Sequence, residues 1–268
     1  MPAERASING ISFFVEHEHL DEPGSPVVMI HGWTADRHRN GTVFDYLKQL
    51  GSPVLRYDLR GHGWSQKGLA GTYTMATCVD DLQGIIEAVV KPLHGGGKVT
   101  LYGHSMGGTV AFMHALRFPS AVGRLVLVAP WLKVTATADI IDGFNALLAS
   151  YARKFEREFG RKKAEQAKLG LEFFPHWNDG SLLPEQQASV ELGKDMMEYK
   201  EDINALSSIA VPTHVFIGDA DRPDLKAAAK LVHEKIPGST LDVVAGGHNL
   251  AIEARETFPA MVARYLHD

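Results

Sequence analysis

Three short stretches of this chain put chemically competent side chains where turns should be. Gly103-His104-Ser105-Met106-Gly107 sets a serine hydroxyl between two glycines, in the pattern G-x-S-x-G. A hydroxyl becomes an effective nucleophile when a neighbouring base takes its proton, so such a serine calls for a histidine and for a carboxylate that orients it. Of thirteen histidines, His248 in Gly246-Gly247-His248-Asn249 is the best placed, on a loop after an apolar run and before the last helix. Two carboxylates, Asp219 and Asp221, follow Gly218. The order serine, acid, histidine along the chain is one of the known orders of a hydrolytic triad.

In a nucleophile elbow of the G-x-S-x-G kind the backbone holds the serine out at a sharp strand-to-helix turn. Residues 99–102 read as a buried strand and 107–118 as a helix stopped by Pro119, which puts Ser105 on that turn. Side chains at the flanking positions would collide with neighbouring backbone, so Gly103 and Gly107 are sterically intelligible. The tetrahedral species formed on attack needs donors for its oxygen, and the N–H of Met106, the residue after the nucleophile, is one. Asp219 follows the glycine directly and Asp221 stands two residues further into the loop; strand and loop alone leave both open.

Residues 26–30, 53–59, 124–128, 214–218 and 241–244 read as further strands. Residues 41–50, 73–90, 224–235 and 252–266 read as helices, with Thr74 or Thr77 as N-cap of the second. Asn9-Gly10, between two extended runs, predicts an opening hairpin. Strands alternating with helices predict an α/β fold, a mostly parallel sheet wrapped on both faces. The rhythm breaks over 131–208, which holds a charged, helix-like stretch at 151–168 and the aromatic run Phe173-Phe174-Pro175-His176-Trp177 but no evident strand. That segment reads as a helical insertion.

With 268 residues the chain is long enough to bury a sheet on both faces. Its 45% hydrophobic and 22% charged residues are those of an ordinary globule, and a formal charge of −5 gives no electrostatic case for nucleic acid. No apolar stretch reaches the roughly 18 residues of a membrane span. One cysteine, Cys78, precludes an internal disulfide, and the first ten residues lack the apolar core of a signal peptide, so the cytoplasm is the expected setting.

Taken in order, His31-Gly32, Asp58-Leu59-Arg60-Gly61-His62-Gly63-Trp64-Ser65, Gly103 to Gly108, Gly218-Asp219-Ala220-Asp221 and Gly247-His248 resemble the α/β-hydrolase superfamily. Within it they are most similar to cap-bearing serine esterases, lactonases and carbon–carbon hydrolases. The likeness covers nearly all of the chain outside the insertion. It implies a mostly parallel eight-stranded sheet, with residues 1–130 and 209–268 forming the core domain and 131–208 a helical cap. It implies Asp221, third after the glycine, as the acid beside Ser105 and His248. It also implies the N–H of Trp33 as the second oxyanion donor. The loop at 58–65 is then structural, with no catalytic step for Asp58, Arg60 or His62.

A serine rather than an aspartate nucleophile points to acyl transfer on a small-molecule ester or lactone, with no cofactor and no metal. Carbon–carbon cleavage of a dienone by the same triad is the alternative, and a non-hydrolytic ligand-binding role on this scaffold is a further one. The cap should lie over Ser105, with Trp131, Phe144, Phe173, Phe174 and Trp177, joined by Phe155 and Phe159, as a wall for an apolar group. Two stretches are set aside. His94-Gly95-Gly96-Gly97 spells an oxyanion motif of some lipases but precedes the nucleophile's own strand and reads as a turn. Glu16-His17-Glu18-His19 offers metal-ligand types with no third partner and reads as a solvated charge run.

Overall fold

The computed structural model describes residues 3–143, 146, 184–199 and 202–267. Its eight strands are β1 (Ala3–Ile8), β2 (Ile11–Glu18), β3 (Val27–Ile30), β4 (Val54–Tyr57), β5 (Val99–His104), β6 (Val122–Val128), β7 (Thr213–Gly218) and β8 (Thr240–Val244). They form one sheet in the order β1-β2-β4-β3-β5-β6-β7-β8. β1 pairs with β2 and β2 with β4 in antiparallel fashion, and every other neighbouring pair is parallel. The opening hairpin turns on Asn9 and Gly10, at φ 50° and 74°, with Ile8 opposite Ile11. Those positive angles suit asparagine followed by glycine in a two-residue turn.

The helices are α1 (Gly41–Gln49), α2 (Met75–Ile85), α3 (Lys91–His94), α4 (Met106–Arg117), α5 (Pro184–Glu198), α6 (Pro223–Lys235), α7 (Leu250–Glu253) and α8 (Phe258–His267). Thr74 rather than Thr77 caps α2: its hydroxyl accepts the Thr77 amide at 3.1 Å. The parallel strands are apolar at successive positions because both faces are covered. Leu101, Leu125, Leu127 and Val215 face a core closed by Val79 and Leu82 of α2, Val110 of α4 and Leu225 of α6. Tyr102, Val126 and Phe216 face the opposite core, closed by Phe44 and Leu47 of α1 and by Phe258 and Val262 of α8.

Two expectations need correction. The helix expected over 252–266 is broken: α7 ends at Glu253 and α8 starts at Phe258. Glu253 turns its carboxylate back onto the Gly247 and Asn249 amides, and Pro259, lacking an N–H, belongs in the first turn of a new helix. The stretch 16–19 is not a solvated charge run either. Glu16 and His17 are buried on β2, where Glu16 pairs with Arg56 at 2.8 Å and with Arg37 at 3.3 Å. The two guanidinium groups keep the Glu16 carboxyl below its ordinary range against the opposing effect of burial. Buried charge of this kind survives because it is paired.

The described part of 131–208 contains short helical turns and α5, and no strand. The stretch 151–168 and the aromatic run at 173–177 lie outside the described residues.

Candidate active site

The turn carrying Ser105 joins β5 to α4. Ser105 has φ 55° and ψ −121°, a conformation that an L-residue occupies only when its surroundings enforce it. Its amide donates to the Val128 carbonyl at 2.8 Å, and its carbonyl accepts from Gly108 at 2.9 Å. The turn is tight enough to specify its glycines. A Cβ on Gly103 would lie 2.3 Å from the Gly107 carbonyl oxygen, and a Cβ on Gly107 would lie 2.4 Å from that of Ile30. Met106 opens α4, so its amide belongs to a first turn whose N–H groups have no acceptor within the helix.

The loop after β3 packs directly on this turn: a Cβ on Gly32 would sit 3.1 Å from Ser105 Cβ. Ala35 N–H closes the loop onto Gly32 O at 3.2 Å, with Thr34 at φ 60°. His31 secures it from below. Its Nε2 accepts from the Leu59 amide at 3.0 Å, so the ring proton is on Nδ1, which donates to Gly32 O at 2.8 Å. From the other side, the Trp33 indole N–H donates to the Ser189 carbonyl of α5 at 2.7 Å. Nothing in the sequence links positions 33 and 189.

Asp221 and His248 come from the loops after β7 and β8. These loops lie close: a Cβ on Gly218 would meet the carbonyl oxygens of Gly246 and Gly247 at 2.3 Å. Asp221 is 4% exposed, and its Oδ2 lies 3.0 Å from His248 Nδ1, which donates to it. Its Oδ1 accepts the Arg222 amide at 2.7 Å. Asp219 is exposed and points elsewhere, accepting the Gly246 amide at 2.9 Å. It shapes the histidine loop without touching the imidazole.

His104, the last residue of β5, was absent from the sequence-derived site although it lies inside the serine motif. Its Nε2 is 2.8 Å from the His248 carbonyl oxygen, and the two rings pack with centroids 4.8 Å apart. Ser105, His104, Asp221 and His248 therefore gather at the carboxyl rim of β5, β7 and β8. Among the described residues no hydrogen bond joins the Ser105 hydroxyl to His248. Such contacts are often long before substrate binds and tighten in the reacting complex.

Trp131 is packed into the core, 4% exposed, with its amide 3.4 Å from the Ser105 carbonyl. Phe144, Phe173, Phe174 and Trp177, with Phe155 and Phe159, lie outside the described residues. The loop at 58–65 is held by buried pairs. Asp58 accepts from Arg37 Nη1 at 2.7 Å and from the Arg37 and Trp64 amides at 2.8 Å, while Arg60 grips Asp81 at 2.5 and 2.6 Å. His94 ends α3, and Gly95 terminates that helix in a left-handed turn at the opposite edge from Ser105. Two clefts of about 630 and 600 Å³ lie elsewhere, the first lined by Ser25, Lys98, Arg124 and His267, the second by Arg60, Asp80 and Glu87. Among the described residues no three His, Cys, Asp or Glu side chains converge as a metal cage, and no helix is long and apolar enough to cross a membrane.

The sheet order, the strand–turn–helix at Ser105 and the carboxyl-edge loops are those of an α/β-hydrolase. The family model described as Serine aminopeptidase, S33 (Hydrolase_4) matches residues 21–254, and the chain belongs to that hydrolase family. It is 25% identical over 255 residues to the pimeloyl-[acyl-carrier protein] methyl ester esterase of Neisseria meningitidis serogroup B, covering 92% of this chain and 94% of that one. It is also 25% identical over 261 residues to the 2-hydroxymuconate semialdehyde hydrolase of Pseudomonas putida, covering 92% and 89%. Among solved structures, an esterase from Exiguobacterium antarcticum superposes with a TM-score of 0.76 at 24% identity, over 99% of both chains.

Proposed function

We propose that this hydrolase cleaves a carboxylic ester or lactone of a small to medium, partly apolar substrate through an acyl-enzyme on Ser105. The observation that carries this reading is the Asp221–His248 bond on the same rim as a serine held at φ 55°. Ser105 Oγ attacks the acyl carbon as His248 Nε2 takes its proton. Asp221 holds the Nδ1–H and so stabilises the imidazolium that forms. The Met106 and Trp33 amides receive the developing oxyanion, each such donor being worth about 10²–10³ in kcat. His248 then protonates the leaving alcohol, and water hydrolyses the acyl-enzyme by the same route.

Residues 131–208 act as a cap over this rim, a reading supported by the Trp33 indole reaching the α5 backbone. A cytoplasmic setting suits a chain whose one cysteine, Cys78, is free and buried. The likeness to 2-hydroxymuconate semialdehyde hydrolase favours one alternative, hydrolysis of a carbon–carbon bond in a dienone by the same three residues.

A fluorophosphonate probe should label the protein at Ser105, and Ser105→Ala should abolish labelling and lower kcat by several orders of magnitude with little change in melting. Turnover of p-nitrophenyl butyrate and simple lactones, with none of ring-cleavage dienoates, is the expected pattern. Labelling at Ser105 with turnover of dienoates alone favours the alternative. A Ser105→Ala protein that keeps its activity overturns the reading.

A further inference from the structure

We propose that His104 is a positioning residue, which fastens the loop carrying His248 to the strand carrying Ser105 and so sets the distance the serine proton must cross. This rests on reading Ser105 and His248 as nucleophile and base. The loop at 245–249 contains two glycines, Gly246 and Gly247, and is anchored through its backbone around the base, with the Gly246 carbonyl accepting from the Ala220 amide of the acid loop at 2.9 Å. Gly246 N–H donates to Asp219 at 2.9 Å, and Gly247 and Asn249 donate to Glu253 at 2.7 and 3.0 Å. These contacts tie the loop to the acid loop and to α7. Among the described residues only the bond from His104 Nε2 to the His248 carbonyl, at 2.8 Å, joins this loop to the strand of Ser105, at the residue next to it. With no described hydrogen bond between the two reacting groups, this contact is what registers one against the other.

The chemistry of His104 points the same way. A carbonyl only accepts, so Nε2 carries the ring proton and Nδ1 does not. Nδ1 is buried without a hydrogen-bond partner, and a Cβ on Gly32 would lie 3.4 Å from it. Leaving a buried nitrogen unpaired is unfavourable, and an apolar side chain would pack there without that penalty. What leucine lacks is the donor to the His248 carbonyl. Burial, and next the charge of His248, push the His104 imidazole down to about 3, with Arg39 also lowering it and Asp221 raising it. The ring therefore stays a neutral donor and adds no positive charge beside the base.

Three proteins, wild type, His104→Gln and His104→Leu, test this. Glutamine can offer an N–H where Nε2 stands; leucine fills the space without a donor. On p-nitrophenyl butyrate, H104L should lose about tenfold to a hundredfold in kcat, as expected for a misplaced reacting group. Its KM should stay within about twofold, and its rate of fluorophosphonate labelling should fall in step with kcat. H104Q should recover to within about threefold of wild type. A folded H104L with wild-type kcat overturns the proposal, as does a folded H104Q as impaired as H104L. If H104L does not fold, ring NMR of the wild-type protein decides: the proton should sit on Nε2 of His104 and persist from roughly pH 5 to 9. A proton on Nδ1 instead overturns it. Failure of the wild-type protein to label at Ser105 counts against the site reading itself, and leaves the NMR result to stand separately.

Discussion

Asp219 and Asp221 differ by two positions in sequence and by everything in environment. Asp221 is buried against the His248 ring, whereas Asp219 is exposed and spends its carboxylate on a loop amide. Asp221→Asn should therefore lower kcat by about 10³–10⁴, the cost of presenting the wrong hydrogen-bonding partner to the base. Asp219→Asn keeps an acceptor for Gly246 and should cost less than about tenfold. Saturating ester kinetics on both variants, beside their melting curves, distinguishes the two; the reverse ranking moves the acid to Asp219. Ser105 and His248 stood out as candidates at this scale because a strand, a turn and a helix surround each with recognisable residue types. No such signal separates Asp219 from Asp221, since alternation along a loop carries no information about which side chain turns inward, and the resemblance supplied the choice. His104 escaped notice for a related reason. A histidine beside the serine looks the same in sequence whether it faces solvent or the back of the base loop.

The elements themselves were legible where apolar runs were long and bounded by turn residues. All eight strands were anticipated to within a few residues, as was the Asn9-Gly10 hairpin. Errors arose where tertiary contacts overrode local pattern. Apolar spacing continues through 252–266, yet Glu253 is drawn back to cap the histidine loop and the helix breaks there. The run Glu16 to His19 is polar enough to suggest a solvated strand, but Arg37 and Arg56 neutralise Glu16 within the fold. Arg37 comes from the loop preceding α1 and stacks over both Phe14 and Trp64, at 4.4 and 4.3 Å. Such a cluster draws on residues from four separate stretches of chain, which no window of sequence displays. The Trp33–Ser189 bond is invisible for the same reason, and it ties the loop after β3 to a helix some 150 residues later.

For the molecule as a whole, the parallel sheet brings the loops after β3, β5, β7 and β8 to one rim, while residues far apart in sequence close the cores on either side. Burial also sets how the fold responds to acid. The His114 imidazole donates to Gln83 and is fully enclosed; burial, then the nearby Arg117, lower it to about 4, and His104 sits at about 3. In the unfolded chain both take up a proton near the ordinary histidine value of about 6.5. The unfolded state then binds more protons than the native one, so stability is complete above about pH 6.5 and falls as pH drops toward about 4. Each buried ring should contribute up to about 1.4 kcal/mol per pH unit over its window. Urea unfolding from pH 7.5 to pH 4.5 should register this slope, and His114→Gln should reduce it by about one proton's worth. An unchanged slope in that variant refutes the assignment.

The backbone at Ser105 carries a last consequence. A dihedral pair of 55° and −121° is hostile to any residue with a Cβ but comfortable for glycine, which lacks one. Ser105→Gly should then outlast Ser105→Ala on heating, by about 1 kcal/mol after allowing for the extra freedom glycine gives the unfolded chain. Calorimetry on the two inactive proteins measures the difference directly, and equal melting points would mean the turn is not under tension. If the ranking holds, any side chain with a Cβ at position 105, the serine included, is carried there at a cost in durability that glycine would not incur.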